Sequence, residues 1–149
     1  MPDLILSHVN NNTITIRNPS AIRPWTYVLD FLNGYLTLGE KLYTDPSRYS
    51  GAWNLSSSYA KTVMDLITEM SKYLNIKYKV HNGRKGHEDM ILLLNSDKSK
   101  KELRWKPMNS FEDTVRSTAS WYAHFYKDHR VPFTYSRTQL SEFKKRLHE

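Results

Sequence analysis

Arg23 stands between an alternating run, Thr13-Ile14-Thr15-Ile16, and a long stretch with helical spacing that opens on Pro24-Trp25. An arginine at the mouth of a helix has a defined chemistry. Free backbone N–H groups and the helix dipole favour an anion there, and a guanidinium grips two phosphate oxygens at once. A surface arginine paired with a carboxylate such as Asp30 has the same local sequence, so both readings stand. The second group is Gly83-Arg84-Lys85-Gly86-His87-Glu88, a glycine-flanked loop with two adjacent cations. Backbone N–H groups in such a loop can wrap a diphosphate; a solvated turn reads the same way. His87-Glu88 is not a zinc signature, because no histidine follows Glu88 at the three-residue gap. The remaining histidines show no ligand spacing, and no metal site is expected.

Tyr73-Leu74-Asn75-Ile76-Lys77 matches a Tyr-x-x-x-Lys pattern in which the lysine lowers the tyrosine pKa and a phenolate acts as base. With ten tyrosines in 149 residues, about one such match arises by chance. The pair also straddles an expected helix end and strand start, whereas the chemistry needs both side chains on one helical face. Tyr73 therefore reads as core edge and Lys77 as solvent-facing. Among the five glycines there is no Gly-x-Gly-x-x-Gly and no Walker loop, so the chain carries no dinucleotide or nucleoside-triphosphate fingerprint.

The elements that must position these residues follow from periodicity. A helix start is expected at 2–6 and a strand at 13–17. A helix from Pro24 to Tyr43 uses Pro24 in its first turn and turns Val28, Leu32, Tyr35, Leu38 and Leu42 inward. Residues 51–55 read as a short strand. Thr62 and Asp65 make a capping box for a helix that buries Val63, Leu66, Ile67, Met70 and Leu74. An edge strand follows at 77–80. The apolar run 90–94 reads as a strand covered on both faces. Ser96 opens a short helix ending near Leu103. Ser110 and Asp113 cap another, with Phe111, Val115, Ala119, Tyr122 and Tyr126 as its stripe. After a linker at Val131-Pro132, Ser136 and Gln139 cap the last helix. That helix turns Leu140, Phe143 and Leu147 inward and Lys144, Lys145 and Arg146 outward. Strands alternating with helices argue for an α/β or α+β domain.

The length suits one domain with a sizeable core. Lys+Arg exceeds Asp+Glu by 22 − 15 = 7, which suits phosphorylated metabolites, nucleic acid or an acidic membrane surface. Absence of cysteine excludes disulfides and thiolate metal sites. No apolar run reaches membrane-spanning length and no signal-like segment opens the chain, so a soluble cytoplasmic protein is expected.

Ile16-Arg17-Asn18-Pro19, Ala21-Ile22-Arg23-Pro24-Trp25, Gly34-Tyr35-Leu36 and Gly51-Ala52-Trp53-Asn54 follow one another as they do in CDP-glucose 4,6-dehydratases. His87-Glu88, Ser99-Lys100, Leu103-Arg104-Trp105-Lys106-Pro107, the stretch from Thr118 to Tyr122 and the tail from Tyr135 to Leu147 are also similar. The sequence thus resembles the C-terminal part of these NAD-dependent extended short-chain dehydrogenase/reductases. The resemblance implies a small mixed α/β (α+β) substrate-binding domain over residues 1–128, with a linker and C-terminal helix over 129–149 and the Rossmann domain missing. Such enzymes oxidise a nucleotide-linked sugar at C4, eliminate water across C5–C6 and return the hydride to C6. The resemblance assigns Arg23 and Arg84 to the diphosphate and Asn54 and His87 to the support of the nucleotide pocket. No catalytic residue and no cofactor site fall in this chain; NAD belongs to the missing domain. The implied partners are a nucleotide-diphosphate sugar and a separate Rossmann-domain chain. Departures are Leu55-Ser56-Ser57 for Phe-Gly-Pro, Asn95 for an aspartate, and Arg104 for the glycine of Leu-Gly-Trp. An arginine there matters if the backbone is left-handed. Two other readings remain: a basic nucleic-acid- or protein-binding module, marked by the net charge and the basic last helix, and a non-functional truncated remnant.

Overall fold

The computed structural model describes residues 1–57, 59–81, 89–127 and 132–147. Among them lie, in chain order, α1 (Pro2–Val9), β1 (Thr13–Ile16), β2 (Ile22–Arg23), α2 (Val28–Thr44), α3 (Pro46–Tyr49), β3 (Lys61–Thr62), α4 (Val63–Met70), β4 (Lys77–Val80), α5 (Asp97–Glu102), α6 (Phe111–Lys127) and α7 (Pro132–Leu147). β1 and β4 pair in parallel, Thr13 opposite Lys77 and Ile16 opposite Val80. β2 and β3 pair antiparallel, and Ile22 also bridges to Ile91. The architecture is the mixed small α/β domain that the alternation of elements implies.

Two clusters hold it together. In the first, Leu4 and Ile5 of α1, Ile16 of β1, Leu66, Ile67 and Met70 of α4, Leu74, and Phe111, Val115 and Ala119 of α6 are buried against one another. Each large aliphatic side chain here contributes about 1.5–3 kcal/mol by leaving water. The caps that start these helices are the expected ones. Thr62 Oγ1 accepts from Asp65 N and Asp65 Oδ2 from Thr62 N. Ser110 Oγ likewise accepts from Asp113 N. The second cluster is smaller: Tyr49, Leu55, Leu103 and Trp105, with Phe31, Leu38 and Leu42 of α2 and Trp53 packed onto it.

α2 departs from expectation twice. It begins at Val28, not Pro24, because Ile22-Arg23 is drawn into a strand. Ile22 N donates to Met90 O and Leu92 N to Ile22 O, and the residue before a proline is driven out of the helical region. Its buried side also differs: Val28, Leu32 and Tyr35 are exposed, while Asp30 and Gly34 are buried. The helix rotates so that Gly34 lets Leu55 and Trp105 approach. A Cβ at Gly34 would lie 2.7 Å from Leu55 Cδ1 and 3.0 Å from Trp105 Nε1. Asp30 is the polar centre of this contact. Its carboxylate accepts from Met108 N, Asn109 N and Asn109 Nδ2, and its carbonyl from Trp105 Nε1.

Residues 51–55 are not a strand. Gly51 has φ +107, and Trp53 turns back to stack on Tyr49 and donate to its carbonyl at 2.8 Å. The run 90–94 is not covered on both faces either. It touches β2 through one bridge, and Ile91 remains 62% exposed. Ser136 and Gln139 do not start a helix. α7 begins at Pro132; Ser136 Oγ accepts from Trp121 Nε1, and Gln139 donates to Ser117 O. Of the three apolar residues expected to face inward from α7, Phe143 is buried while Leu140 and Leu147 stay exposed. Arg146 does not simply point outward, since its guanidinium donates to Asn109 Oδ1 and Met108 O, both at 2.8 Å.

Past the end of α5, Arg104 has φ 56. Leu103 N and Trp105 N both donate to Ser99 O there, a helix ending in which a left-handed residue follows the last turn and glycine is usual. An arginine in this conformation costs about 1–2 kcal/mol.

Candidate functional site

Arg23 is the second residue of β2, and its neighbours fix it from three sides. Arg23 Nη1 donates to Ile22 O at 2.8 Å and to Asp89 O at 2.9 Å. Trp25 Nε1 donates to Lys61 O at 3.1 Å, tying the Arg-Pro-Trp segment to β3. Met64 N and Val63 N, at the start of α4, donate to Pro19 O and Ala21 O and pin the turn that leads into β2. The guanidinium is therefore set by strand pairing and carbonyl anchors. The expected helix mouth does not supply its setting, because α2 starts five residues later.

Arg23 lines a cleft of about 550 Å³. Ile14 to Asn18 form one wall, Leu4 and Asp3 of α1 another, and Pro24, Trp25 and Leu66 close the base. Arg17 and Arg23 against Asp3 leave the lining one positive charge in excess, 2 − 1 = +1. Walls that mix apolar side chains (Leu4, Ile14, Ile16, Trp25, Leu66) with polar ones (Asp3, Thr15, Asn18) beside a guanidinium suit a partly apolar ligand that carries an anionic group. Asp30, the carboxylate that a plain surface ion pair would have used, is instead 1% exposed and occupied by Met108 and Asn109.

The other expected site residues fare differently. Arg84 and His87 lie outside the described residues. Asn54 does not line the cleft. Its Nδ2 donates to Asn95 O at 3.1 Å and its carbonyl accepts from Ser99 Oγ at 2.6 Å, so it binds the 50–57 loop to α5. Tyr73 lies beyond the end of α4, and Lys77 opens β4, so that pair shares no helical face. Tyr27 and Tyr59 were not singled out in the sequence. Burial pushes both phenols up, against the pull of hydrogen bonds to Ser117 for Tyr27 and Thr114 for Tyr59. A phenol raised in this way makes a poor base. Leu4 and Asn18 are cleft residues that the sequence reading missed. Asn18 had a signal in the Arg17-Asn18-Pro19 turn; Leu4 had none, because α1 brings it to the cleft from outside that turn.

A dinucleotide such as NAD needs a glycine-rich turn running from a strand into a helix N-terminus. Here β1 leads through Arg17-Asn18-Pro19 into a second strand, and β3 passes directly into α4 with no glycine between them. The described residues do not fit that cofactor.

No protein-family model matches the chain. Curated relatives do. The chain is 31% identical over 126 residues to a CDP-glucose 4,6-dehydratase of Salmonella typhimurium, covering 82% of this chain and 35% of that one. It is 30% identical over 107 residues to UDP-glucose 4-epimerase 3 of Oryza sativa subsp. japonica, covering 70% and 28%. The chain thus spans about a third of the length of the curated relatives it matches. Among solved structures, a UDP-glucose-4-epimerase from Stenotrophomonas maltophila with bound NAD and formylated UDP-arabinopyranose superposes with a TM-score of 0.71 at 17% identity. That match covers 85% of this chain and 40% of the other, and it supports the fold. Among the described residues no helix is long and apolar enough to cross a membrane.

Proposed function

The chain is a partial region of the NAD-dependent sugar-nucleotide epimerase/dehydratase family, and from that premise we propose that it is the sugar-nucleotide-binding, C-terminal portion of a CDP-glucose 4,6-dehydratase. One observation carries the reading. Arg23, held by two backbone carbonyls, lines a cleft in which apolar residues of β1, α1 and α4 alternate with the polar Asp3, Thr15, Arg17 and Asn18. In this reading the guanidinium takes the diphosphate and the β1–α1 walls take the nucleoside. Arg84 is assigned to the same phosphates and His87 to the support of the pocket. Asn54 acts at a distance by bracing the loop onto α5.

The residues here bind and orient; the redox step lies elsewhere. NAD supplies hydride removal and return when it is bound, and no side chain of this chain is assigned to that step. Alone, the chain binds nucleotide sugar without converting it. The family's NAD-binding half completes the enzyme, and the exposed run Ile91 to Leu94 is the apolar surface it would cover.

Calorimetry tests the binding claim. CDP-glucose is expected to bind more tightly than UDP-glucose, and Arg23→Ala is expected to weaken CDP-glucose at least about tenfold, the scale of a lost charge-assisted phosphate contact. Equal heats for the wild type and Arg23→Ala, with or without an added NAD-binding half, reject the reading.

A further inference from the structure

A second cation-lined cavity, of about 490 Å³, shares no lining residue with the nucleotide cleft. Lys41 near the end of α2, Arg48 of α3, Lys101 of α5 and Arg104 just beyond it converge on it, with Glu102 as the opposing carboxylate. The balance is 4 − 1 = +3. None of the four is ion-paired among the described residues, where the pairs are Lys72–Glu69, Lys100–Asp97 and Arg116–Asp113. We propose that this cavity is a binding site for a small polyanion of the phosphomonoester or diphosphate class.

Three observations carry it. The cavity is built from separate segments that packing holds in place: Tyr49 and Leu103, which line it, belong to the buried second cluster. Arg48 is held at both ends, its backbone N–H donating to the Asp45 carboxylate that caps α3 and its guanidinium carbon lying 5.3 Å from the Tyr49 ring centroid. Arg104 reaches the cavity from a left-handed backbone position, φ 56, that favours glycine. Four like charges around one concavity repel one another, and a multiply charged anion relieves that repulsion.

The same surface argues for a compact ligand over a polymer. The other cations of α5 are already engaged and do not extend the patch into a stripe. Lys98 Nζ sits 3.9 Å from the Trp53 ring centroid and donates to Ala52 O, and Lys100 pairs with Asp97. A nucleic acid tract needs such a stripe with exposed stacking rings, and Tyr49, the ring at this cavity, is buried.

The test is calorimetry of the 149-residue chain with inorganic pyrophosphate at low ionic strength, for the wild type and for Arg104→Gly, Lys101→Ala and Arg23→Ala. Arg104→Gly places the residue best suited to this backbone, so the fold persists; far-UV circular dichroism checks that. Saturable binding that weakens at least about tenfold in Arg104→Gly, falls in Lys101→Ala and survives in Arg23→Ala is expected. Binding untouched by Arg104→Gly and Lys101→Ala overturns the proposal. Binding lost in Arg23→Ala alone also overturns it, because the anion then sits in the nucleotide cleft. Salt-sensitive retention on a polynucleotide that Arg104→Gly abolishes, with no saturable pyrophosphate heat, overturns it in favour of a nucleic-acid surface.

Discussion

The two clusters of this domain are held by different physics. Around α4, burial of aliphatic side chains does most of the work, and two capped helix starts set the direction of the chain. Around α2, the apolar cluster is small, and a buried carboxylate organises it. Asp30 ties the loop at 108–109 to the first turn of α2, and Arg146 of α7 holds Asn109 from the other side. Aliphatic burial is roughly proportional to area and tolerates adjustment. A carboxylate that meets three donors at once, two of them buried, tolerates far less adjustment. The α4 side therefore behaves as a packed core, and the α2 side as a joint whose angle polar bonds set.

Substitutions at three sites sharpen or break that contrast. The largest effect is expected at Leu66→Ala, which opens a cavity in the first cluster and costs about 3–5 kcal/mol, read as a lowered urea midpoint. A loss under 1 kcal/mol would mean that the cluster is loosely packed. Asp30→Ala comes next, at about 3 kcal/mol, because Met108 N and the Asn109 donors lose their acceptor away from water. Its distinguishing signature is faster amide exchange at residues 108–109 with the α4 amides unchanged. Uniform loss of protection would show that the two clusters unfold as one unit.

The smallest effect is at the cap. Thr62→Ala removes the acceptor for Asp65 N and is expected to cost about 1 kcal/mol. Hydrogen bonds from Thr62 hold the Asp65 carboxyl below its ordinary value of 3.8, and those from Ser110, with Arg116 nearby, do the same for Asp113. A depressed folded pKa gives stability that is present above 3.8 and lost as the pH falls through the folded pKa. Thr62→Ala leaves the backbone N–H of residue 62 donating to Asp65, so the acid titration of stability is tested at Asp65→Asn, where it should be shallower than in the wild type; an unchanged acid limb there would dissociate the Asp65 carboxylate from the cap.

The α4 side was legible because its determinants are local or periodic. The Thr62–Asp65 and Ser110–Asp113 spacings name their own caps, and Leu66, Ile67, Met70, Phe111, Val115 and Ala119 recur at helical steps. β4 was legible for the same reason, as an alternating edge strand. The α2 side was not. Val28, Leu32 and Tyr35 make an apolar stripe as regular as any in the chain, yet they stay exposed while Asp30 and Gly34 go inside. Periodicity counts apolar residues; it cannot see that Asp30 has three donors waiting 78 and 79 positions away. The run 90–94 misled for a related reason: it is apolar enough for a covered strand, but the described residues offer it only the edge at Ile22.

The candidate site divides along the same line. Arg23 stood out through residue type and its Pro-Trp neighbours, and the resemblance supplied its role. Its setting, on a strand with its guanidinium anchored to Ile22 O and Asp89 O, came from pairing between segments far apart in the chain. Leu4 of α1 joins it in the cleft for that reason alone. The cation cavity is the extreme case: Lys41, Arg48, Lys101 and Arg104 are unremarkable one by one, and sequence distance hides their meeting. Order along the chain determined the family, the caps and the aliphatic core, because each rests on residues within a few positions of one another or on a repeating pattern. The tilt of α2, the walls of the cleft and the convergence of the four cations were decided by long-range hydrogen bonds and packing, whose partners no local pattern names.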